Sequence, residues 1–252
     1  MSQEKEAPFK EGEGPDRSAP LVDHLEELRK RLWIVIAFVA TASVIGFFLS
    51  TRLIEWLKRP AGNLLPKLSF FSPAEAMMAY MKIAFSFGLV VSCPVIFYEL
   101  WAFIRPGLTE RERRYGTSFI LWGTLLFLSG VAFAYFVLLP PSLSFLLSFG
   151  SVTLQPVISV EHYLSFVSVV MLTCGVVFEF PLVIFFLTRM GVVTPGLLKK
   201  NWKTAFLSMV IAAAVITPTQ DPINLILMTL PLLLLYEISI VVSSAASPRG
   251  KK

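Results

Sequence analysis

Two short stretches of this 252-residue chain interleave carboxylates with arginines, and each abuts a strongly apolar segment. The first is His24-Leu25-Glu26-Glu27-Leu28-Arg29-Lys30-Arg31. The second runs from Leu100 through Trp101, Phe103, Arg105, Pro106, Gly107 and Leu108 to Glu110, Arg111, Glu112, Arg113 and Arg114. Basic residues beside a membrane segment are ordinary topology signals. Topology does not call for carboxylates among them, whereas a guanidinium does, because its parallel N–H donors match a carboxylate. The chemistry on offer is recognition of a cation, at about 1.5–3 kcal/mol for each charge-assisted hydrogen bond. Lysine keeps the charge but lacks the fork, so a rigid pair of acids would discriminate arginine from lysine. Flanking Arg29, Arg113 and Arg114 would keep the acids ionised and in place, and salt would weaken the interaction.

Two more acids lie inside apolar segments. Glu179 sits between Phe178 and Phe180, just before Pro181, where an ionised carboxylate is too costly to face lipid. It is either protonated and hydrogen-bonded to a carbonyl freed by Pro181, or it lines a protein face that meets a polar group of another helix. Glu237 lies near the inner end of the last apolar segment, where snorkelling or a helix-end role fits better. Catalytic chemistry finds no support. The only histidines, His24 and His162, fall outside the apolar cores and form no HExxH or Ser-His pattern, and no GxxxxGK[ST] loop is present. Cys93 and Cys174 lie in apolar segments without CxxC spacing, as packing residues do. No cofactor, metal site or enzymatic activity is expected.

The elements that must position these residues are membrane helices. The chain is 55% hydrophobic and 15% charged, with mean hydropathy +0.71, far too apolar for a soluble domain. Its +5 charge is parcelled between apolar runs with no continuous basic face, so nucleic acid is not an expected partner. Residues 1–18 are polar and read as a disordered cytoplasmic tail with no signal-peptide core. Residues 19–242 read as one membrane domain and 243–252 as a basic cytoplasmic tail. Apolar segments at 31–50, 75–99, 116–139 and 162–187 are each long enough to cross about 30 Å of hydrocarbon. The stretch 202–242 is interrupted by Thr217-Pro218-Thr219-Gln220-Asp221-Pro222, which makes it a hairpin of two short spans.

Six transmembrane helices with both termini inside place 17 of the 22 lysines and arginines on the cytoplasmic side. Lys82 lies near the outer end of the second span and is expected to snorkel outward. Pro94, Pro181 and Pro231 should bend or break helices two, four and six, and bent helices make a concave bundle. The fold class expected is therefore an all-α integral membrane protein, N-in/C-in, with short fifth and sixth helices. Leu21, Leu25, Leu28 and Leu32 form one stripe, so residues 20–32 should be an amphipathic helix leading into span one, with Glu27 off the stripe. On residues alone, Glu27 and Arg31 at i, i+4 form a surface ion pair or Glu27 receives a ligand. Thr109 is a natural N-cap, and Glu110 and Glu112 suit a helix N-terminus. Tyr98, Trp101 and Phe103 either form an interfacial aromatic belt or line a binding site.

These motifs, in this order, resemble the TatC family of the twin-arginine protein translocase over nearly the whole chain. They are His24-Leu25-x-Glu27-Leu28-Arg29-x-Arg31, Pro94 to Tyr98 running into Leu100-Trp101-Ala102-Phe103-Ile104-x-Pro106-Gly107-Leu108, Glu112-Arg113-Arg114, Phe178-Glu179-x-Pro181, Thr217-Pro218 with Asp221, and Tyr236-Glu237. The outer turn departs from the pattern, with Leu225 where the family often has glutamine and Asn224 beside it. The resemblance implies the signal-peptide receptor core of a translocase that exports folded proteins using the proton-motive force. It implies a cell inner membrane location and an oligomeric complex, among membrane lipids, with TatA/TatB-type single-span subunits. It also implies Glu27 and Glu112, with Arg29 and Arg113, as ligands of twin-arginine signal peptides. The family places that acid six residues after the proline, which selects Glu112 over Glu110. His24, Leu28, Trp101, Phe103, Pro106 and Leu108 would support that cytoplasmic site, and Glu179 would contact a partner helix. The competing class is a secondary transporter with Glu179 and Glu237 as coupling groups, but no paired halves are visible in the sequence.

Overall fold

The computed structural model describes residues 19–64, 68–107, 110–148, 157–216 and 222–246. Among them the secondary structure is helical apart from one isolated bridge between Ser69 and Ser159. Helix α1 (Ala19–Lys58) begins with Pro20 in its first turn, where a missing N–H costs nothing, and runs 40 residues. At 1.5 Å per residue it spans about 60 Å, twice the hydrocarbon thickness, so the amphipathic segment and the first span are one continuous rod. A 3-10 turn at Arg59–Leu64, with Gly62 at φ 55°, ends it.

Helix α2 (Pro73–Ile104) starts at a reciprocal cap. The Glu75 N–H donates to Ser72 Oγ at 3.3 Å, and the Glu75 carboxylate accepts from the Phe71 N–H at 2.7 Å. A 3-10 turn at Arg105–Gly107 and the single turn α3 (Glu110–Arg113) lead to α4 (Gly116–Phe133). A π turn at Ala134–Leu138 joins α4 to α5 (Leu139–Ser148), just upstream of Pro140 and Pro141, whose nitrogens cannot donate to the helical ladder. Helices α6 (Val160–Phe178) and α7 (Phe180–Arg189) are separated at Glu179, and α8 (Pro195–Lys200), α9 (Trp202–Ile216) and α10 (Pro222–Ala246) follow.

Of the three prolines expected to bend or break their helices, only Pro181 coincides with a break. Helices α2 and α10 continue through Pro94 and Pro231. Among the described residues five segments are long and apolar enough to cross a membrane, and α9 is a shorter apolar helix. Helix α9 covers only about 22 Å at 15 residues, as the sequence implied. Helix α10, expected to be short, instead runs 25 residues. Its last turns carry serines: Ser244 Oγ donates to the Ile240 carbonyl at 2.9 Å, and buried Ser243 pairs with Thr188 of α7 at 2.8 Å. The turn at 217–221 lies outside the described residues.

Packing is set by small residues where backbones meet. A side chain at Gly88 would run into Ser43 and the Val39 carbonyl, so α2 lies directly on α1 there. At Gly130 of α4 a Cβ would come 2.5 Å from the Cys174 carbonyl of α6. One core joins Ile83, Leu139, Leu164, Val167, Val170 and Cys174 toward one end of the bundle, where Tyr163 and Tyr135 hydroxyls donate to the Leu57 and Trp56 carbonyls at 2.8 Å. A second gathers Cys93, Phe97, Trp101, Phe119, Phe127 and Leu182 toward the other. Both cysteines are buried packing residues, with Cys174 Sγ 3.9 Å from Met228 Sδ. The outer surface of the rods is apolar, with Trp33, Phe48, Leu234 and Val241 exposed as lipid would have them. Among the hollows between the rods, one of about 610 Å³ lies between α4, α7 and α10 and a smaller one of about 280 Å³ between α1, α2, α4, the π turn and α6. Lys82 of α2 bonds α6, with Nζ 2.6 Å from Glu161 and 2.9 Å from Ser165.

Candidate functional site

Helices α1 and α2 are antiparallel neighbours, so residues early in α1 meet residues late in α2. On α1, His24, Glu27 and Arg31 are spaced i, i+3 and i+7, which sets them on one face. On α2, Glu99 and Phe103 are four apart and share a face in the same way. The two faces meet. The His24 ring stacks on Phe103 with centroids 4.3 Å apart and planes 15° from parallel.

One turn deeper, Arg31 lies between two carboxylates. Its Nε and Nη2 both donate to Glu27 Oε1, at 3.0 and 2.5 Å, and its Nη1 donates to Glu99 Oε2 at 2.9 Å. Side-chain exposure falls from 36% at Glu27 to 24% at Arg31 and 9% at Glu99. The cluster thus runs from the surface into the helix interface and carries one net negative charge. It holds a guanidinium between two acids, the arrangement the residue types allowed. The i, i+4 pairing of Glu27 with Arg31 is present, and it is the outer half of a larger network.

Glu99 escaped the sequence reading. Its signal was an acid within an apolar run at the inner end of the second span, where an ionisable group is expected to have a partner. What hid it was its position between Tyr98 and Leu100, in a segment dominated by aromatic residues.

The remaining residues singled out from sequence divide by depth. Trp101 is neither a belt residue nor a site wall: it is 6% exposed, packed on Phe119 and Phe186 at ring separations of 5.2 and 5.6 Å. Its indole also covers Gly116 at the start of α4, where a Cβ would collide with the ring. The correction has a simple cause, because residue 101 falls on the face of α2 toward α4 and α7, whereas 99 and 103 face α1. Tyr98 is exposed, and Leu25, Leu28 and Leu32 form an exposed stripe. Arg29, Pro106 and Arg113 are exposed. Leu108 and Thr109 lie outside the described residues, as does the side chain of Glu112, whose backbone belongs to the single turn α3.

Glu179 caps the end of α6, with its N–H donating to the Val176 carbonyl at 3.1 Å. Its two carboxyl oxygens are buried without a hydrogen-bond partner among the described residues. Phe178 and Pro181 beside it line the larger hollow. Glu237 is exposed on α10, while neighbouring Tyr236 is buried and donates to the Leu198 carbonyl at 2.7 Å. Among the described residues no three His, Cys, Asp or Glu side chains gather as a metal site.

Comparison with known proteins gives a consistent result. A family model described as Sec-independent protein translocase protein (TatC) matches residues 23–231. The chain is 39% identical to the Sec-independent protein translocase protein TatC of Deinococcus radiodurans, over 90% of this chain and 86% of that protein. It is 37% identical to TatCy of Bacillus subtilis, over 92% and 91% respectively. Among solved structures, a crystal structure of a twin-arginine translocase receptor, TatC, superposes with a TM-score of 0.78 at 38% identity, covering 88% of this chain and 99% of that one.

Proposed function

The chain belongs to the TatC family, a multi-pass membrane component of the Sec-independent protein translocase, and on that premise we propose that it is the signal-peptide receptor core of a twin-arginine translocase. In this reading it sits in the cell inner membrane with both termini cytoplasmic. The ends of α1 and α2 and the short α3 face the cytoplasm and bind the Arg-Arg pair of a signal peptide. Glu27 receives one guanidinium and Glu112 the other, with Arg29 and Arg113 flanking. TatA/TatB-type single-span subunits assemble along the Glu179 side, in an oligomeric complex that exports folded proteins at the expense of the proton-motive force.

The observation that carries the reading is the Glu27–Arg31–Glu99 cluster. Its acids lie where the start of α1 meets the end of α2, they accept guanidinium donors at 2.5–3.0 Å, and the outer acid is a third exposed. A guanidinium arriving from solution meets an acid already oriented for that group. The buried, unpaired carboxyl of Glu179 supports the second part of the reading, because an apolar protein interior leaves such a group seeking a polar contact from outside the chain.

The test is the affinity of the detergent-solubilised protein for a signal peptide carrying Arg-Arg against its Lys-Lys version. Wild type is compared with the Glu27→Gln/Glu112→Gln double variant. A strong Arg-Arg preference in wild type that disappears in the variant is the expected result. Equal binding in all four combinations refutes the receptor reading and directs attention to transport of a small solute with Glu179 as a coupling group.

A further inference from the structure

Resting on the reading of Glu27 as a guanidinium ligand, we propose that Glu99 is the positioning residue of that receptor: it holds Arg31, and Arg31 holds the Glu27 carboxylate in the orientation that selects arginine over lysine.

Glu27 by itself is poorly placed for selectivity. It stands on the outside of a helix with three rotatable side-chain bonds, and a swinging carboxylate attracts any cation about equally. Arg31 removes that freedom. Two of its nitrogens converge on one oxygen of Glu27, Oε1, so Arg31 leaves the second oxygen, Oε2, to another donor. Whether this clamp is rigid depends on Arg31, which also projects from α1 on a long flexible stem. The guanidinium is a flat, delocalised unit, and fixing one edge fixes the plane of the whole group. The edge that is fixed is Nη1, by Glu99 at 2.9 Å.

Glu99 can do this because it is immobile. It is 7% exposed, in the last two turns of a continuous helix, between the α2 residues that contact α1 at Gly88 and at Phe103. The order of support runs from the rigid α2 rod to Glu99, to the guanidinium plane, to the Glu27 oxygens. Glu99 itself does not touch the signal peptide in this account. Its effect is on preference, through geometry, and not on charge attraction alone.

The experiment measures Arg-Arg and Lys-Lys signal-peptide affinities of the full chain in detergent, with thermal melting of each variant as a folding control. Glu99→Leu is expected to cut the Arg-Arg over Lys-Lys preference roughly tenfold, the loss of one oriented charge-assisted bond. Lys-Lys binding should hardly change. Glu99→Gln keeps an acceptor oxygen without its charge and should lose only about threefold. Adding Arg31→Leu to Glu99→Leu should cost no further preference, since both act through Glu27. A Glu99→Leu protein with wild-type preference, when Glu27→Gln has lost it, overturns the proposal and leaves the receptor reading standing. If Glu27→Gln also keeps the preference, the receptor role of Glu27 fails first. Should Glu99→Leu not fold, Glu99→Gln decides, and an unchanged preference there overturns the proposal.

Discussion

Replacing Arg31 by leucine tests the electrostatics of the α1–α2 contact most directly, because the cluster makes asymmetric demands on its members. Glu27 is about a third exposed and pairs with Arg31 along one helix, so this half is worth only a few tenths of a kcal/mol. Glu99 has a side chain 9% exposed, and removing Arg31 strands its carboxylate. A deeply buried pair broken in this way costs about 3–5 kcal/mol. Here water reaches the outer side of the cluster, so about 2 kcal/mol is the working figure, close to one charge-assisted hydrogen bond. Glu27→Gln should cost about 0.5 kcal/mol by the same reckoning. The double variant Arg31→Leu/Glu99→Leu removes the stranded charge and replaces it with apolar contact, so it should be more stable than Arg31→Leu alone. The assay is thermal unfolding of the purified protein in one detergent at one scan rate, where about 2 kcal/mol corresponds to roughly 4–8 °C for a chain of this size. The ranking Glu27→Gln above the double variant above Arg31→Leu is the expected outcome. A double variant less stable than Arg31→Leu would refute the claim that Glu99 depends on Arg31 for its burial.

Three other substitutions have definite outcomes. Trp101→Ala empties a core site beside Phe119 and Phe186 and should cost about 3–5 kcal/mol, lowering the melting temperature and yield. The fraction that remains folded should bind signal peptide with unchanged Arg-Arg preference, which a ratio of affinities will show. Gly130→Leu forces α4 away from the Cys174 carbonyl of α6 and should destabilise by about 1–3 kcal/mol, measured as lost thermal stability, whereas an unaltered melt would mean the helices do not touch there. Glu179→Gln replaces a buried, unpaired carboxyl with a neutral group of the same shape and should leave the melting temperature equal or higher. It should leave signal binding intact while weakening recovery of the assembled translocase in co-purification. Lost signal binding with normal assembly would reverse the assignment of Glu179.

Much of the molecule was legible in one dimension because a bilayer imposes length and polarity limits that leave marks every 20 residues or so. The apolar segments, the short α9 and the burial of both cysteines follow from those limits. So does the pairing of Glu27 with Arg31, which requires only the helical repeat. The length of α10 was not legible because its last turns are held from across the bundle: Ser243 pairs with Thr188 of α7, while Ser239 and Ser244 donate to the Leu235 and Ile240 carbonyls of their own helix. The effect of prolines was also not readable locally, since Pro94 and Pro181 are similar in sequence context and only the latter interrupts its helix.

The sequence by itself determined that this chain crosses a membrane several times, that arginines and acids gather at one end of its helices, and which family it resembles, because these depend on composition, periodicity and ordered motifs. Which acid meets which arginine was decided by the antiparallel packing of α1 on α2. That packing brings Glu99 to Arg31 across 68 positions, sets His24 on Phe103 and turns Trp101 into the core. A helical repeat tells a residue's neighbours on its own rod, whereas the partner across the interface depends on the register of two rods, and that register is set by where glycines such as Gly88 let the backbones come together.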